Sequence, residues 1–414
     1  MTASATAKRR KYEFDVTRTG PGTVAGQYLR RFWQPVRLSS MVAERKAIPI
    51  RIMGEDFTLY RGETGAPHVI DFRCAHRGTQ LSTGTVEGDA IRCLYHGWKY
   101  GANGQCIEQG NEHQSFADKV RIRSCPTRDY LGVIFAYFGP APVPPLPKLS
   151  QLDGPGYLDQ AFYIRECSYF QNLENMMDET HTNFTHRVSS FSDPGSINRE
   201  VPQISAEETP YGLVEYARRS DGTVRSSHFI MPNSMLMQLP LTTGFISEGQ
   251  ANRPFSDYIA WRVPIDDHVH LSCAVQRLDV DDATAERFFK HKEATEKAMA
   301  DLPPAPAVSQ AILRGELTLE DVCDRADIVN IQDNVAQIGQ GVIADRENEH
   351  LGTGDTAIVA FRRRLLRLAA DCERGIMPAM PEHPEWYRVR SAGIVLAKDV
   401  DFQKGAAQRL IAAS

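Results

Sequence analysis

Residues 72–100 read FRCAHRGTQLSTGTVEGDAIRCLYHGWKY, and this stretch contains two short pairs of metal-binding side chains. The pairs are Cys74 with His76 and Cys93 with His96. A glycine follows each pair, Gly78 or Gly97, and glycine lets a loop turn tightly and direct its N–H groups at an anion. Trp98 comes directly after the second glycine, where we expect it to shield the site from water. The stretch therefore predicts two loops that together hold one metal centre.

Two thiolates and two imidazoles suit either of two metal centres. They can form a tetrahedral zinc site, which is the commoner result for these residue types alone. They can also hold a [2Fe–2S] cluster of the Rieske type, in which two His replace two Cys on one iron. Zinc would make the chain a zinc-stabilised binding or regulatory protein rather than an enzyme, so the rest of the sequence has to decide.

A second group of candidate ligands lies in Glu174–His186, ENMMDETHTNFTH. On a helix, Asp178 and His181 share one face because they are three positions apart. His181 and His186 differ by roughly 140° on an ideal helix, so the helix must break if both are to bind one metal. Two His and one carboxylate with open positions are typical of non-haem Fe(II) oxygenases. By spacing alone, a structural pair of histidines remains the alternative.

The third ligand of such a set does not need to be local. Asp333, in Ile331-Gln332-Asp333-Asn334 of a predicted helix, is the best candidate. The alternative is a helix-surface acid, as we expect for Asp321, Asp324 and Asp327 just before it. Asp345 and Asp355 are rivals for the metal, although Asp345 next to Arg346 is more typical of a structural ion pair.

Taken together, CxHRG…CxxHGW and NxxDxxHx₄H are similar to the motifs of the Rieske non-haem iron oxygenases. The resemblance covers nearly the whole chain and is strongest to the oxygenase (alpha) subunits of the phthalate dioxygenase type. It implies a [2Fe–2S] cluster and a mononuclear Fe(II) that acts with O2. The implied cluster ligands are Cys74, His76, Cys93 and His96; the implied iron ligands are His181, His186 and, by matching position, Asp333.

The same resemblance implies roles for two more residues and an assembly. Asp178 would bridge His96 of a neighbouring subunit's cluster to His181, and Asn175 would lie just outside the iron ligands. Such a path requires a homotrimer or a hexamer of two stacked trimers, with head-to-tail contacts that close into a ring. A buried carboxylate between two imidazoles can accept an N–H from each and fix their tautomers.

Pattern and turn residues predict an α+β fold with two domains. We expect an N-terminal segment, 1–34, that packs on the catalytic domain; an antiparallel β Rieske domain, 35–147; and a helix-grip-like catalytic domain with a curved antiparallel sheet, 148–414. The proline-rich Gly139–Pro147 marks the boundary between them. Helices are predicted at Val24–Trp33, from near Thr318, and at two further ranges, Ala283–Ala300 and Thr356–Cys372.

Composition narrows the class of protein. The 414 residues are 42% hydrophobic with a net charge of −5, which predicts no nucleic-acid partner. Tyr130–Phe138, the longest apolar stretch, is too short for a bilayer, so no membrane partner is expected. Eight cysteines in this length are not a disulfide framework, and the N-terminus shows no signal peptide. We therefore expect a cytoplasmic protein.

These features predict the terminal oxygenase component of a multicomponent enzyme. A separate reductase of the flavin and ferredoxin type would supply electrons, because the sequence shows neither a dinucleotide fingerprint nor a plant-type ferredoxin pattern. The resemblance implies an aromatic acid that is hydroxylated or dihydroxylated; O-demethylation or ether cleavage of a methoxylated aromatic acid is the alternative. A pure electron carrier is disfavoured by the large domain after Pro147, with its own His and Asp residues.

The substrate pocket is expected within residues 225–265. Its apolar wall candidates, most of which we expect to be ordinary core, are Phe229, Met231, Met235, Met237, Leu239 and Phe245. The candidate carboxylate-binding side chains, between which the sequence does not choose, are Arg218, Arg219, Arg225, Arg253 and Arg262. His228 is expected on the surface of a strand.

Overall fold

A computed structural model describes residues 15–187, 200–240, 255–376 and 394–396. The first helix is α1, Val24–Arg30, and it begins at Thr23, whose hydroxyl accepts the N–H of Gly26 at 3.1 Å. We predicted a helix to Trp33, but the chain turns after Arg30 and Trp33 opens a strand. The segment before α1 contacts the second half of the chain, since Thr19 N–H donates to Asp267 at 2.9 Å.

Three small antiparallel sheets occupy the first third of the chain, where the sequence predicts an antiparallel β domain. The first has the order β2-β3-β4-β9, the second β5-β6-β7-β8 and the third β1-β11-β10. Their strands are β1 Trp33–Leu38, β2 Ala47–Ile52, β3 Glu55–Arg61, β4 Pro67–Asp71, β5 Thr85–Glu87, β6 Ala90–Arg92, β7 Lys99–Gly101, β8 Cys106–Glu108, β9 Ser124–Cys125, β10 Thr127–Tyr130 and β11 Val133–Tyr137. The loop after β4 carries the first ligand pair, and the loop between β6 and β7 carries the second.

A large antiparallel sheet forms the centre of the second part of the chain. Its order is β12-β18-β17-β16-β15-β14-β13, and β19 pairs with β15. The strands are β12 Tyr157–Arg165, β13 Gln203–Thr209, β14 Gly212–Arg218, β15 Thr223–Ile230, β16 Ser234–Pro240, β17 Phe255–Pro264, β18 His270–Leu278 and β19 Ile394–Leu396. The sequence contains five strand-like runs that predict β14 to β18, namely Leu213–Arg218, Ser227–Met231, Met235–Leu239, Tyr258–Val263 and Val269–Val275. It misses β19 and also β12 and β13, whose exposed polar positions weaken the alternation.

Helices pack on this sheet and connect its strands. They are α2 Tyr169–Met176, α3 His181–Phe184, α4 Asp282–Met299, α5 Ala305–Leu313, α6 Ile328–Ile338 and α7 Thr356–Glu373. Aromatic contacts hold α7 against the sheet, because the Phe361 ring lies 4.7 Å from Phe229 and 5.6 Å from Phe170 of α2. This packing fixes α2, and with it the loop that carries the second group of candidate ligands.

The observed fold confirms the α+β prediction of small antiparallel sheets followed by a large-sheet domain. One helix prediction is wrong: Thr318 bonds Asp321 as a cap would, but only a single turn, Glu320–Val322, follows. Regular helix returns at Ile328. Gly139–Pro147 has neither helix nor strand, and the domain boundaries beside it stay predictions. None of the described helices is both long and apolar enough to span a membrane.

Candidate metal centres

The two loops of the first centre have the same backbone design. The N–H of Cys74 donates to Thr79 O, and the N–H of Cys93 donates to Trp98 O, both at 2.8 Å. Gly78 and Gly97 adopt φ of +74° and +71°, a region that side chains rarely enter, so each loop needs its glycine. Two equivalent loops therefore present one Cys and one His each.

The four candidate ligands lie at two different depths below the protein surface. Both sulfurs are buried, whereas the His76 and His96 rings, 4.6 Å apart, are half-buried and reach towards the surface. Within the described part of the chain, these four residues do not supply three ligand atoms close enough to surround one ion. Inner sulfurs and outer imidazoles that do not converge on a point suit two irons better than one tetrahedral zinc.

Two aromatic side chains complete this centre. The Trp98 indole stacks on His76 with 4.8 Å between rings and an interplanar angle of 6°, and it is itself buried. The Tyr100 hydroxyl accepts the N–H of Ala75 at 3.1 Å and shares a hydrogen bond of 3.2 Å with Cys74 Sγ. A hydrogen bond to a ligand sulfur tunes the potential of an iron–sulfur cluster. The predicted shield at Trp98 is present, while Tyr100 was missed.

At the second centre, the helix breaks where the sequence requires it. α2 ends at Met176, and α3 begins at His181. His181 and His186 then face each other with ring centroids 5.2 Å apart, and Asp333 arrives from α6. Asp333 Oδ1 lies 3.9 Å from His181 Nε2 and 3.4 Å from His186 Nε2. In the described residues, this is the one set of three whose ligand atoms all lie within 4.8 Å of one another.

Each ligand candidate is oriented by a partner behind it. His186 Nδ1 lies 2.9 Å from Gln332 Oε1, and His181 Nδ1 contacts the backbone carbonyl of Asp178, so both rings are set with Nε2 inward. Arg165 is fully buried behind Asp333, 3.7 Å from Oδ2. Its guanidinium also donates to Asn334 and Gln337 of α6, both at 2.7 Å. Sequence reasoning missed Arg165 and Gln332 because their roles arise only when β12 and α6 meet.

Electrostatics keep the carboxylate ionised. Burial alone would raise the pKa of Asp333. His186 beside it and the positive charge of Arg165 outweigh burial and lower the pKa to about 2. Burial lowers the pKa of His186, but the adjacent Asp333 carboxylate outweighs burial, so the pKa is raised. Within the described residues, Asp333 Oδ1 is buried and makes no hydrogen bond. An anionic oxygen left unpartnered between two Nε2 atoms is a donor set that fits a divalent metal.

Other predicted residues lie near this set without joining it. The Asp178 carboxylate accepts the N–H of His181 at 3.1 Å and the hydroxyl of Thr180 at 2.6 Å, rather than the His181 ring. Asn175 accepts the N–H of Asp178 through its carbonyl at 3.3 Å, and no hydrogen bond of its amide to the three candidates is seen in the described chain. The rivals Asp345 and Asp355 are elsewhere: Asp355 accepts the N–H of Gly352, and Asp345 accepts a hydrogen bond from the Asn348 amide. The predicted ion pair of Asp345 with Arg346 is wrong, because Arg346 pairs with Glu174 at 2.6 Å.

The predicted apolar pocket residues lie mainly in the core or in a separate cavity. Phe229 and Met235 are fully buried core, as expected, and Met231 lines an apolar cavity with Trp33 and Trp261, outside the set described above. His228 is not on the surface: it is 4% exposed, with Nδ1 at 3.1 Å from the Tyr211 hydroxyl, because both faces of β15 are covered. Phe245 and Arg253 lie outside the described residues.

Comparison with known proteins agrees with two iron centres in an oxidoreductase. The Rieske [2Fe-2S] domain family matches residues 32–126. The chain is 31% identical, over 88% of its length and 81% of the relative's, to the 5,5'-dehydrodivanillate O-demethylase oxygenase subunit of Sphingobium sp. (strain NBRC 103272 / SYK-6). It is 29% identical, over 96% and 97%, to the 3-chlorobenzoate-3,4-dioxygenase oxygenase subunit of Comamonas testosteroni.

A solved structure shares the fold. The terminal oxygenase of carbazole 1,9a-dioxygenase from Novosphingobium sp. KA1 aligns with a TM-score of 0.59 at 21% identity, covering 83% of this chain and 94% of that one. The chain is thus an oxidoreductase that acts with O2 and uses a Rieske cluster and a mononuclear iron. It belongs to the Rieske non-haem iron oxygenases, as the sequence motifs predicted. The zinc-protein and electron-carrier alternatives are therefore wrong.

Proposed function

We propose that this oxygenase hydroxylates or dihydroxylates an aromatic carboxylic acid. The observation that carries the proposal is the convergence of His181, His186 and Asp333 beside a buried, cationic face of the large sheet. The relatives named above act on 5,5'-dehydrodivanillate and 3-chlorobenzoate, which are aromatic acids. Buried arginines close to the candidate iron site suit an anionic aromatic substrate.

The side chains of this chain would hold and orient the mononuclear iron. His181 and His186 would donate Nε2, and Asp333 would donate an oxygen, while Gln332 and Arg165 keep His186 and Asp333 in place. Iron held in this way supplies O2 activation. Asp333 stays ionised, and the positive charge of Arg165 beside it offsets its negative charge in this buried environment.

Electron supply is the second part of the proposal. Cys74, Cys93, His76 and His96 would hold the [2Fe–2S] cluster, with a separate flavin- and ferredoxin-type reductase as donor. Asp178 would connect His96 of a neighbouring subunit to His181 in a homotrimer or hexamer. The half-buried position of His76, His96 and Asp178 supports contact across an interface. The cytoplasm is the proposed compartment.

A single turnover tests the reaction directly. Chemically reduced enzyme is mixed with O2 and benzoates that carry chloro, carboxy, phenoxy or methoxy groups, and the products are read by mass with ¹⁸O2. Gain of one or two labelled oxygens on an intact acid supports the proposal. Loss of a methyl group with formaldehyde release would show instead an O-demethylase. Reduced enzyme that consumes O2 yet changes none of these acids would refute the aromatic-acid assignment.

A further inference from the structure

A buried guanidinium without a carboxylate partner lies close to the candidate iron site. Arg262 of β17 is 6% exposed, donates Nε–H to Asn172 Oδ1 at 2.7 Å, and donates Nη1–H to Trp261 O at 3.3 Å. Among the described residues, no carboxylate oxygen lies within 4.0 Å of it. Burying an unpaired charge is costly, so a site that keeps one is typically completed by an ion of opposite sign.

The strand register places tyrosines beside Arg262. Tyr163 of β12 and Arg262 are both cross-strand neighbours of Ser272, so the three side chains share one face of the sheet. Tyr258 lies four residues before Arg262 on the same face. Both tyrosine side chains are only half-buried, so accessible space adjoins their rings. Ala260 and Ala274, which pair between them, are the small side chains of this face.

This face points at the iron site. Arg165 lies two residues after Tyr163 on β12 and therefore on the same face, and it reaches Asp333 at 3.7 Å. Asn172, which orients Arg262, belongs to α2, the helix that leads into His181 and His186. The charges of Arg262 and Arg165 overcome burial and lower the pKa of Tyr163, and burial raises the pKa of Tyr258 to about 12. Each phenol carries an O–H group that is able to donate to an anion.

The other candidate arginines are already committed or face elsewhere. Arg219 and Arg225 both pair with Glu179, at 2.9 and 2.8 Å. Arg218 lies on the opposite face of β14 from Glu215, since neighbouring positions along a strand alternate. Arg253 is outside the described residues. Among the five candidate arginines, both this elimination and the strand geometry therefore select Arg262.

We propose that Arg262, with Tyr163 and Tyr258 beside it, binds the carboxylate of the aromatic substrate and so sets which ring edge faces the iron. This deepens the proposed function and rests on it for the identity of the ligand as an aromatic acid. Arg262 acts as a binding residue, Asn172 holds its guanidinium in place, and the two phenols donate to the remaining carboxylate lone pairs.

Equilibrium binding tests this role without turnover. Dissociation constants are measured by calorimetry on the anaerobic, iron-loaded, full-length protein with chloro-, carboxy-, phenoxy- and methoxybenzoates and with the corresponding neutral carboxamides. We expect Arg262→Gln to weaken binding of the acids roughly 10- to 100-fold, the size of a charged hydrogen bond, and to change amide binding less than about threefold. Arg262→Lys keeps the charge and should recover part of the acid affinity.

Two controls separate binding from folding. Arg277→Gln removes another arginine of the same sheet, on the opposite face of β18, that is paired with Asp257 at 2.7 Å, and it should leave the acid-to-amide ratio unchanged. Iron content and the cluster spectrum of each variant report whether the fold persists. If Arg262→Gln does not fold, Arg262→Lys must still lower acid affinity relative to amide.

The outcomes distinguish this proposal from the proposed function. Failure of every acid to bind the wild type, or equal weakening of acids and amides in Arg262→Gln, would overturn the subsite. Acids that bind through Arg262 without being oxidised would leave the subsite standing and refute the reaction. An acid that is oxidised, but whose affinity is the same in wild type and Arg262→Gln, would refute the subsite and leave the proposed reaction standing.

Discussion

Glu215 is a carboxyl group in the core of the second domain, and its ionisation is coupled to stability. It accepts the N–H of Glu179 at 3.2 Å and is buried. Burial, and then the charge of Glu179, raise its pKa to about 8, against about 4.5 for a solvated Glu. Between these values the unfolded chain is ionised while the folded one is protonated. The folded state therefore loses up to about 1.4 kcal/mol of stability per pH unit as pH rises through this window.

Glu215→Gln keeps the accepting oxygen but cannot ionise. We expect the variant's thermal midpoint to rise relative to wild type from pH 5 to pH 8 and the difference to level off above that. Calorimetry of both proteins across this range measures it. A difference that stays constant with pH would show that Glu215 ionises normally in the folded protein.

At the scale of single residues, residue type and spacing predicted the candidate metal ligands but did not predict which charged side chains are buried. Cys and His in CxH and CxxH pairs carry their chemistry in the sequence, because few other roles need such spacing. Glu215, Arg165 and Arg262 occur in strands that tolerate charged residues on a solvent face. Tertiary packing decides whether a strand face meets water or a helix. The alternation of side chains along the strand, with its period of two residues, does not reveal which.

At the scale of elements, the break between α2 and α3 depends on one ion-pair cluster. Glu179 lies within the break and is buried, and both of its oxygens are paired, one with Arg219 just after β14 and one with Arg225 of β15. These contacts tie the loop that carries His181 to β14 and β15. The sequence predicted that a break was needed, from the angle between His181 and His186. The partners that hold the break are some forty residues away and had no local signal.

Glu179→Gln should therefore loosen the candidate iron site through its support. Removing one partner of a buried cluster leaves charges uncompensated, which costs about 3–5 kcal/mol. We expect lower unfolding temperature and loss of mononuclear iron to a chelator, while the cluster spectrum persists. Glu286→Gln on α4, which removes an exposed pair with Lys290, is the matched control and should leave both the unfolding temperature and the iron content close to wild type. Equal effects of the two variants would contradict a role for Glu179 in holding the break.

At the scale of the whole molecule, the open question is whether electrons cross between subunits. The His76 and His96 rings are half-buried at the surface, and the Asp178 carboxylate is half-buried with one oxygen bonded to Thr180 and to His181 N–H. Within the described chain, the other Asp178 oxygen makes no hydrogen bond, which leaves it open to a partner's imidazole. A head-to-tail ring would satisfy this geometry at every interface.

Complementation between two inactive variants tests this arrangement. Cys93→Ser should lose the cluster but keep the mononuclear iron, and His181→Ala should do the opposite, so each alone should be inactive. When equal amounts are expressed together, about one chain in four should be an iron-bearing chain that follows a cluster-bearing neighbour, if assembly into a head-to-tail ring is random. We therefore expect about a quarter of wild-type product per chain in a single turnover. Variants that are purified separately and mixed without subunit exchange should stay inactive. Absence of restored activity in co-expressed oligomers that contain both centres would show that electrons pass within one chain, and Asp178 would then have no inter-subunit role.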